Sequence, residues 1–161
     1  MKITKLKLSA LLLAVLCVIF DYFTKKLASG GLKSKSITVI DGILTFEYCE
    51  NRGAAFGIFA DKRYIFMIVS LAAIAVIVGL ILFDKHNDAG IIIPLALILG
   101  GGVGNMIDRI FAGYVVDFLH VTFIDFPIFN VADIFVTVGS VLLLLRLIFD
   151  KKGKADTISD K

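Results

Sequence analysis

Asp117 and Asp133 lie in "VVDFLHVTFIDFPIFNVADIF", residues 115–135, a run of aliphatic and aromatic residues that also holds Asp125. Neither Asp117 nor Asp133 has a lysine or arginine at helical spacing. Two carboxylates close together in an apolar medium cannot both ionise cheaply, so one stays protonated and the pair shares a proton. Such a pair can take a proton from water with one member and give one to a carbonyl oxygen with the other, as aspartic proteases do. Two other readings use the same residues: each aspartate is an interfacial residue or helix N-cap, or the carboxylates line an ion pathway.

Further polar residues come in sets. Asp21, Thr24 and Lys25 share one helix face, with Asp21 and Lys25 at ion-pair spacing. Asn105, Asp108 and Arg109 repeat that spacing after "GGGVG", whose glycines admit a neighbouring backbone, and Asn130, Asp133 and Thr137 form a third stripe. Asp108 with Arg109 reads as a structural lock built on the arginine fork, and Asp21 with Lys25 as support. Nucleophile chemistry fits poorly, because His86 sits in a polar loop opposite these sets and His120 stands alone. No metal-ligand spacing occurs, and "LGGGVGNMIDR" lacks the strand and lysine of a phosphate loop.

The elements that must position these residues are membrane spans. Of the 161 residues, 58% are hydrophobic, and the mean hydropathy is +0.93, well above the roughly 45–50% apolar content of soluble domains. Stretches 6–25, 64–83, 91–111 and 128–149 have the length a bilayer requires. The expected fold is a mainly α, four-transmembrane-helix bundle forming one integral-membrane domain over residues 1–161. Spans one and three end polar and span four begins polar, so alternation gathers the polar sets at one face. With both termini inside, nine Lys and Arg fall on that side and eight on the other, a split that does not orient the chain. Lys2, Lys5 and Lys7 at the leading end of the first span favour cytoplasmic termini.

The start resembles a secretory signal, but no small-x-small cleavage site follows, and Leu16 before Cys17 does not suit a lipoprotein signal, so a retained first span is expected. Cys17 and Cys49 fall at different depths and read as free thiols. The net charge of +3 carries no basic stripe, which argues against nucleic acid. Between spans one and two, residues 26–63 include "SITVIDGILTFEY", which alternates at period two around Asp41-Gly42 and predicts two short strands with a type I′ turn. This extracytoplasmic hairpin, too small for a core of its own, is expected to rest on the membrane over the polar cluster.

Together the blocks "DYFTK" (21–25), "NRGAAFG" (51–57), "GGVGNMIDR" (101–109), "VVDF" (115–118) and "FNVAD" (129–133) resemble the bacterial lipoprotein signal peptidases, signal peptidase II. The resemblance spans nearly the whole chain. It implies an intramembrane aspartic endopeptidase of the cell membrane that cuts prolipoproteins before their diacylglyceryl-modified cysteine, without a cofactor. It also implies that Asp117 and Asp133 are catalytic, and that Asp21, Lys25, Asn51, Gly53, Asn105, Asp108, Arg109, Asn130 and Ala132 support them. Asn51 and Arg52 are placed to hold substrate carbonyls, and "NRGAAFG" with strands 37–48 to form a cradle over the bond. Members often follow the final aspartate with a small hydroxyl residue, where this chain has Ile134. The partners expected are lipidated substrate and membrane lipid, with the enzyme a monomer. A proton- or ion-coupled transporter is the competing reading; it predicts polar residues at mid-membrane and two matching halves, neither of which the sequence displays.

Overall fold

A computed structural model describes residues 3–53, 63–83, 85 and 87–159. The elements are α1 (Lys5–Gly31), β1 (Ile37–Ile40), β2 (Leu44–Asn51), α2 (Arg63–Phe83), α3 (Ala89–Phe111), β3 (Val115–Val121) and α4 (Val131–Ser159). Three helices are long and apolar enough to cross a membrane: Lys5–Gly31, Ala89–Phe111 and Val131–Phe149; among the described residues Met67–Phe83 is a shorter apolar helix.

The burial pattern is that of a protein solvated by lipid. On α1 the buried residues are Lys7, Ala10, Ala14, Cys17, Asp21, Lys25 and Ala28, one stripe at helical spacing made of small and charged side chains. The large apolar residues Leu8, Leu12, Val15, Leu16, Ile19 and Phe23 point outward. Lipid tails are as apolar as leucine, so helices gain by close backbone approach and by pairing polar groups rather than by hiding bulk. The central helix α3, which packs against α1, α2 and α4, supplies that approach through glycines. A Cβ on Gly100 would lie 2.6 Å from Cys17 Cβ, and one on Gly104 would lie 2.6 Å from Asp21 Oδ2. Gly104→Ala should therefore displace the Asp21 carboxylate and cost about 1–3 kcal/mol as a lowered unfolding temperature in detergent. Gly102→Ala, whose Cβ would meet Ile74 at an ordinary 3.8 Å, should not.

Two elements end differently from the sequence reading. The first helix continues past residue 25 to Gly31, because Ala28, with Leu32 beyond the helix end, packs beneath the sheet on Val116 and Phe118. The last begins at Val131 rather than 128, because Phe129 instead exchanges backbone hydrogen bonds with Leu119 of β3.

The hairpin is present but belongs to a three-stranded antiparallel sheet of order β1-β2-β3. Its third strand, Val115–Val121, comes from the apolar piece between the last two spans. β2 faces β3 with Cys49 opposite Asp117 and Asn51 opposite Val115. The turn is not type I′. Gly42 has φ 67° but Asp41 does not share a positive φ, and Ile43 N donates to Ile40 O at 3.0 Å, leaving a three-residue connection between Ile40 and Leu44.

At the opposite end of the bundle lies polar chemistry that the sequence did not announce. Lys7 is 4% exposed, and its Nζ donates to Leu82 O at 2.8 Å, satisfying a carbonyl at the end of α2. Asp88 caps α3 by accepting from Gly90 N at 2.8 Å and pairs with Arg146 of α4 at 2.8 Å.

Candidate active site

Asp21 and Lys25 sit on the last turns of α1, and Asn105, Asp108 and Arg109 on the last turns of α3. Asn130 and Asp133 open α4, and Asp117 lies mid-strand on β3. The structure brings all of them to one end of the bundle. Asp21, Lys25, Asp117 and Asn130 are 1%, 3%, 2% and 0% exposed, so each polar atom needs a partner there.

Lys25 is the hub on the helix side. Its Nζ contacts Asp21 Oδ2 at 2.8 Å and Asp108 Oδ2 at 3.0 Å, and donates to Asn105 Oδ1 at 2.8 Å. Asp108 is thus also held by a lysine of another helix, α1. Arg109 donates to Asn105 O at 3.2 Å, within electrostatic reach of Asp133, Asp117 and Asp108. Asp108 also accepts from Val116 N at 3.2 Å, tying α3 to β3. Asp21 Oδ1 accepts from Ala132 N at 2.9 Å, so a carboxylate of the first helix caps the last.

The two candidate aspartates meet through Asn130. Its Nδ2 donates to Asp117 Oδ1 at 2.6 Å, and its backbone N donates to Asp133 Oδ2 at 3.1 Å. Asp133 N returns a bond to Asn130 Oδ1 at 3.0 Å, a reciprocal cap of the helix start. Each carboxylate has a second donor: Asn51 Nδ2 to Asp117 Oδ2 at 2.9 Å, and Asn105 Nδ2 to Asp133 Oδ1 at 2.8 Å. Asp133 is therefore an N-terminal helix residue as well as a candidate base. Asp125 lies exposed in the turn after β3, apart from the group.

Burial in this apolar setting raises the Asp117 carboxyl to about 6; the neighbouring Asp133 charge pushes the same way, and the bonds from Asn51 and Asn130 pull against it. Because the folded value exceeds the ordinary one near 4, the folded state holds this proton more tightly. The associated stability is full below about pH 4 and is lost as pH rises through about 6. Unfolding temperature in detergent should fall across that window, and Asp117→Asn should abolish the fall. Burial, with the Asp117 charge second, pushes the facing Cys49 thiol up, which holds it protonated and unsuited to nucleophilic attack.

The remaining expected residues divide. Asn51 is engaged with Asp117 and accepts from Gly53 N at 3.0 Å. Arg52 turns instead to Glu50 at 3.0 Å and lies 5.5 Å from the Tyr114 ring centroid. His120 is not alone, having Glu47 Oε2 at 3.0 Å. Residues 54–57 of "NRGAAFG" and His86 lie outside the described residues. Missed by sequence reasoning was Asn130 as the joint of the pair; its place three before Asp133, in capping-box spacing, was the available signal.

Fold and site together define an integral-membrane helical protein with paired carboxylates at one end of its bundle, the class of an intramembrane aspartic peptidase. The family described as signal peptidase (SPase) II matches residues 13–149. Lipoprotein signal peptidases of Lactobacillus johnsonii and Clostridium tetani are 40% and 41% identical over 140 and 142 residues, covering 86% of this chain and 91% of each relative. A solved structure, "Bacterial membrane enzyme structure by the in meso method at 2.3 A resolution", superposes with a TM-score of 0.85 at 34% identity over 91% of both chains. A second bacterial membrane enzyme structure gives 0.79 at 34% identity, over 86% of this chain and 92% of that one. The chain belongs to the signal peptidase II family. Its activity is that of an aspartic endopeptidase, which sets aside the transporter reading.

Proposed function

We propose that this chain removes signal peptides from prolipoproteins by hydrolysing the bond before a diacylglyceryl-modified cysteine, with Asp117 and Asp133 as the catalytic pair. The observation that carries the assignment is Asn130, which binds both carboxylates at 2.6 and 3.1 Å. The pair shares one proton, with Asp117 serving as the acid and Asp133 as the base. Asp133 takes a proton from water as the water oxygen attacks the scissile carbonyl carbon, and Asp117 gives its proton to the carbonyl oxygen. Collapse of the tetrahedral intermediate returns the hydroxyl proton to Asp117. It breaks the C–N bond, and the cysteine nitrogen leaves with the proton from Asp133. No step calls for a cofactor. Lys25, Asn105, Asn51 and Asn130 hold the two carboxylates in place.

In this reading the chain is one membrane domain acting as a monomer. α2, with 21 residues at about 1.5 Å each, matches the roughly 30 Å hydrocarbon core and makes the fourth span. The termini are cytoplasmic, and the pair lies at the extracytoplasmic face with the sheet on the membrane surface. Exposed Ile40, Ile43, Phe123 and Ile124 at the sheet's end support that position. The chain has no tryptophan, so Phe123→Trp gives a single reporter. Its emission should be quenched by brominated lipid in reconstituted vesicles; an unquenched, water-like emission would lift the sheet off the membrane.

The decisive assay follows mobility of a diacylglyceryl-modified prolipoprotein and its unlipidated form in detergent. Only the lipidated form should shorten. Failure of the folded enzyme to cut it would refute the assignment.

A further inference from the structure

The end of β2 presents Asn51 to Asp117, and the ladder that holds it there is short. The pairing shifts register between Phe46 and Cys49, and only Cys49–Asp117, Glu50–Val116 and Asn51–Val115 pair beyond that irregularity before the strand stops. A bulge bends its strand and re-aims the side chains after it, so the segment beyond one needs an anchor of its own. Successive side chains alternate between the two faces of a strand. Asn51 reaches Asp117 on one face, and the other carries a polar cluster that the mechanism does not use. Its centre is Glu50. Arg52 Nη2 donates to Glu50 Oε2 at 3.0 Å, and the Tyr48 hydroxyl donates to Glu50 Oε1 at 3.2 Å. The Arg52 guanidinium also lies 5.5 Å from the ring centroid of Tyr114, the residue just before β3.

Resting on the peptidase reading above, we infer that Glu50 is a positioning residue, bracing the end of β2 so that Asn51 meets Asp117. The brace has a fixed base. The rings of Tyr48 and Tyr114 are partly buried against Ala28, Leu32, Val116 and Phe118, where α1 runs beneath the sheet. The Lys33 ammonium stands 5.2 Å from the Tyr48 ring centroid. A hydroxyl carried on a packed ring holds Glu50, and Glu50 holds Arg52. Asn51 is the residue between those two, so its backbone is fixed from both sides. Its Nδ2 is thereby delivered to Asp117 Oδ2 at 2.9 Å, while its Oδ1 accepts from Gly53 N at 3.0 Å.

The role is geometric rather than energetic. Exposed ion pairs contribute little to stability, and the side chains of Arg52 and Glu50 are 62% and 32% exposed. What the pair governs is where the strand end sits. Burial raises the Asp117 carboxyl, and the Asn51 bond is the largest pull against it. The same bond orients the oxygen that gives its proton to the scissile carbonyl. Asp117 is also faced by Asp133 of α4, Lys25 of α1, Arg109 of α3 and Cys49 of β2. The hydrogen bonds of Glu50 go to Tyr48 and Arg52, and Asn51 joins that cluster to Asp117.

The test uses purified Glu50→Ala, Glu50→Gln, Asn51→Ala and the double variant Glu50→Ala with Asn51→Ala, in detergent. The alkaline limb of kcat on the lipidated precursor reports loss of the proton that the aspartates share. Glu50→Ala should lower kcat about tenfold with KM nearly unchanged. As the Asn51 bond loosens, the limb should move up by about half a pH unit. Loss of the Glu50 charge acting directly would move it down, so the direction separates positioning from plain electrostatics. Glu50→Gln, which keeps an acceptor oxygen, should recover most of kcat and return the limb. Asn51→Ala should show the same upward shift, and the double variant should be no slower than Asn51→Ala alone. A downward or absent shift, or losses that multiply in the double variant, would overturn the brace. The fall in unfolding temperature as Asp117 loses its proton, followed without substrate, should move up with the limb. If the folded enzyme cuts nothing while that fall still moves, the peptidase reading fails and the brace stands. If the fall keeps its place in Glu50→Ala, the brace fails whatever the activity.

Discussion

Asp117→Asn and Asp133→Asn should each reduce cleavage of the lipidated precursor by about 10⁴-fold, the upper range for a positioned acid or base. The two should nonetheless differ in stability, and the difference follows from the bonds each makes. Asp117 is 2% exposed. Asparagine there removes a buried charge but offers one acceptor oxygen where Asn51 and Asn130 both donate. The two effects oppose, so unfolding near neutral pH should shift by less than about 1 kcal/mol. Asp133 also caps α4 through Asn130 N while accepting from Asn105. Its replacement loses one of these bonds with less charge burial to relieve, and should cost about 1 kcal/mol. Mobility-shift kinetics and thermal unfolding in detergent measure both. Wild-type-like cleavage by a folded Asp117→Asn enzyme would move the acid to another group.

Lys25→Met should cause the largest loss of stability of any single substitution at the site, about 3–5 kcal/mol, or on the order of 10 °C in apparent melting temperature. Its ammonium is the shared counter-charge of Asp21 and Asp108, at 2.8 and 3.0 Å. Removing it leaves two carboxylates in apolar surroundings and drops the bond to Asn105, which itself orients Asp133. Activity should fall with it. The double variant Lys25→Met with Asp21→Asn should recover part of the stability, because one stranded charge is gone. A double variant less stable than Lys25→Met would mean that the Asp21 cap on Ala132 outweighs the electrostatics.

The convergence of the site was legible because a bilayer makes polarity a ruler. Asp21, Asp108 and Asp133 each mark one end of an apolar run, and chain alternation alone brings those ends together. Local rules also sufficed for the Asp21–Lys25 pair, which needs only helical spacing. The third strand was not legible in the same way. Val115–Val121 is nearly all apolar and carries no period that separates a buried strand from a piece of helix. Its identity depends on pairing with β2, far away in sequence. The same holds for Lys25 of α1 reaching Asp108 of α3: the ion-pair partner of a lysine stem is chosen by helix packing, which spacing along one helix does not encode. Lys7 reads as one more positive-inside lysine until Leu82 is placed beside it.

The pairing of Asp21 with Lys25 within one helix also bears on how the chain is made. During synthesis α1 enters the bilayer before Asn105, Asp108 or Ala132 exists. Two lone charges would then each cost about 2.5–3.5 kcal/mol. Because they are four residues apart and 2.8 Å from one another, they travel as a neutral couple that needs no chaperoning partner. Later helices then recruit the couple, Lys25 binding α3 and Asp21 binding the first turn of α4, so that a segment inserted before them is also the template on which the catalytic end is assembled.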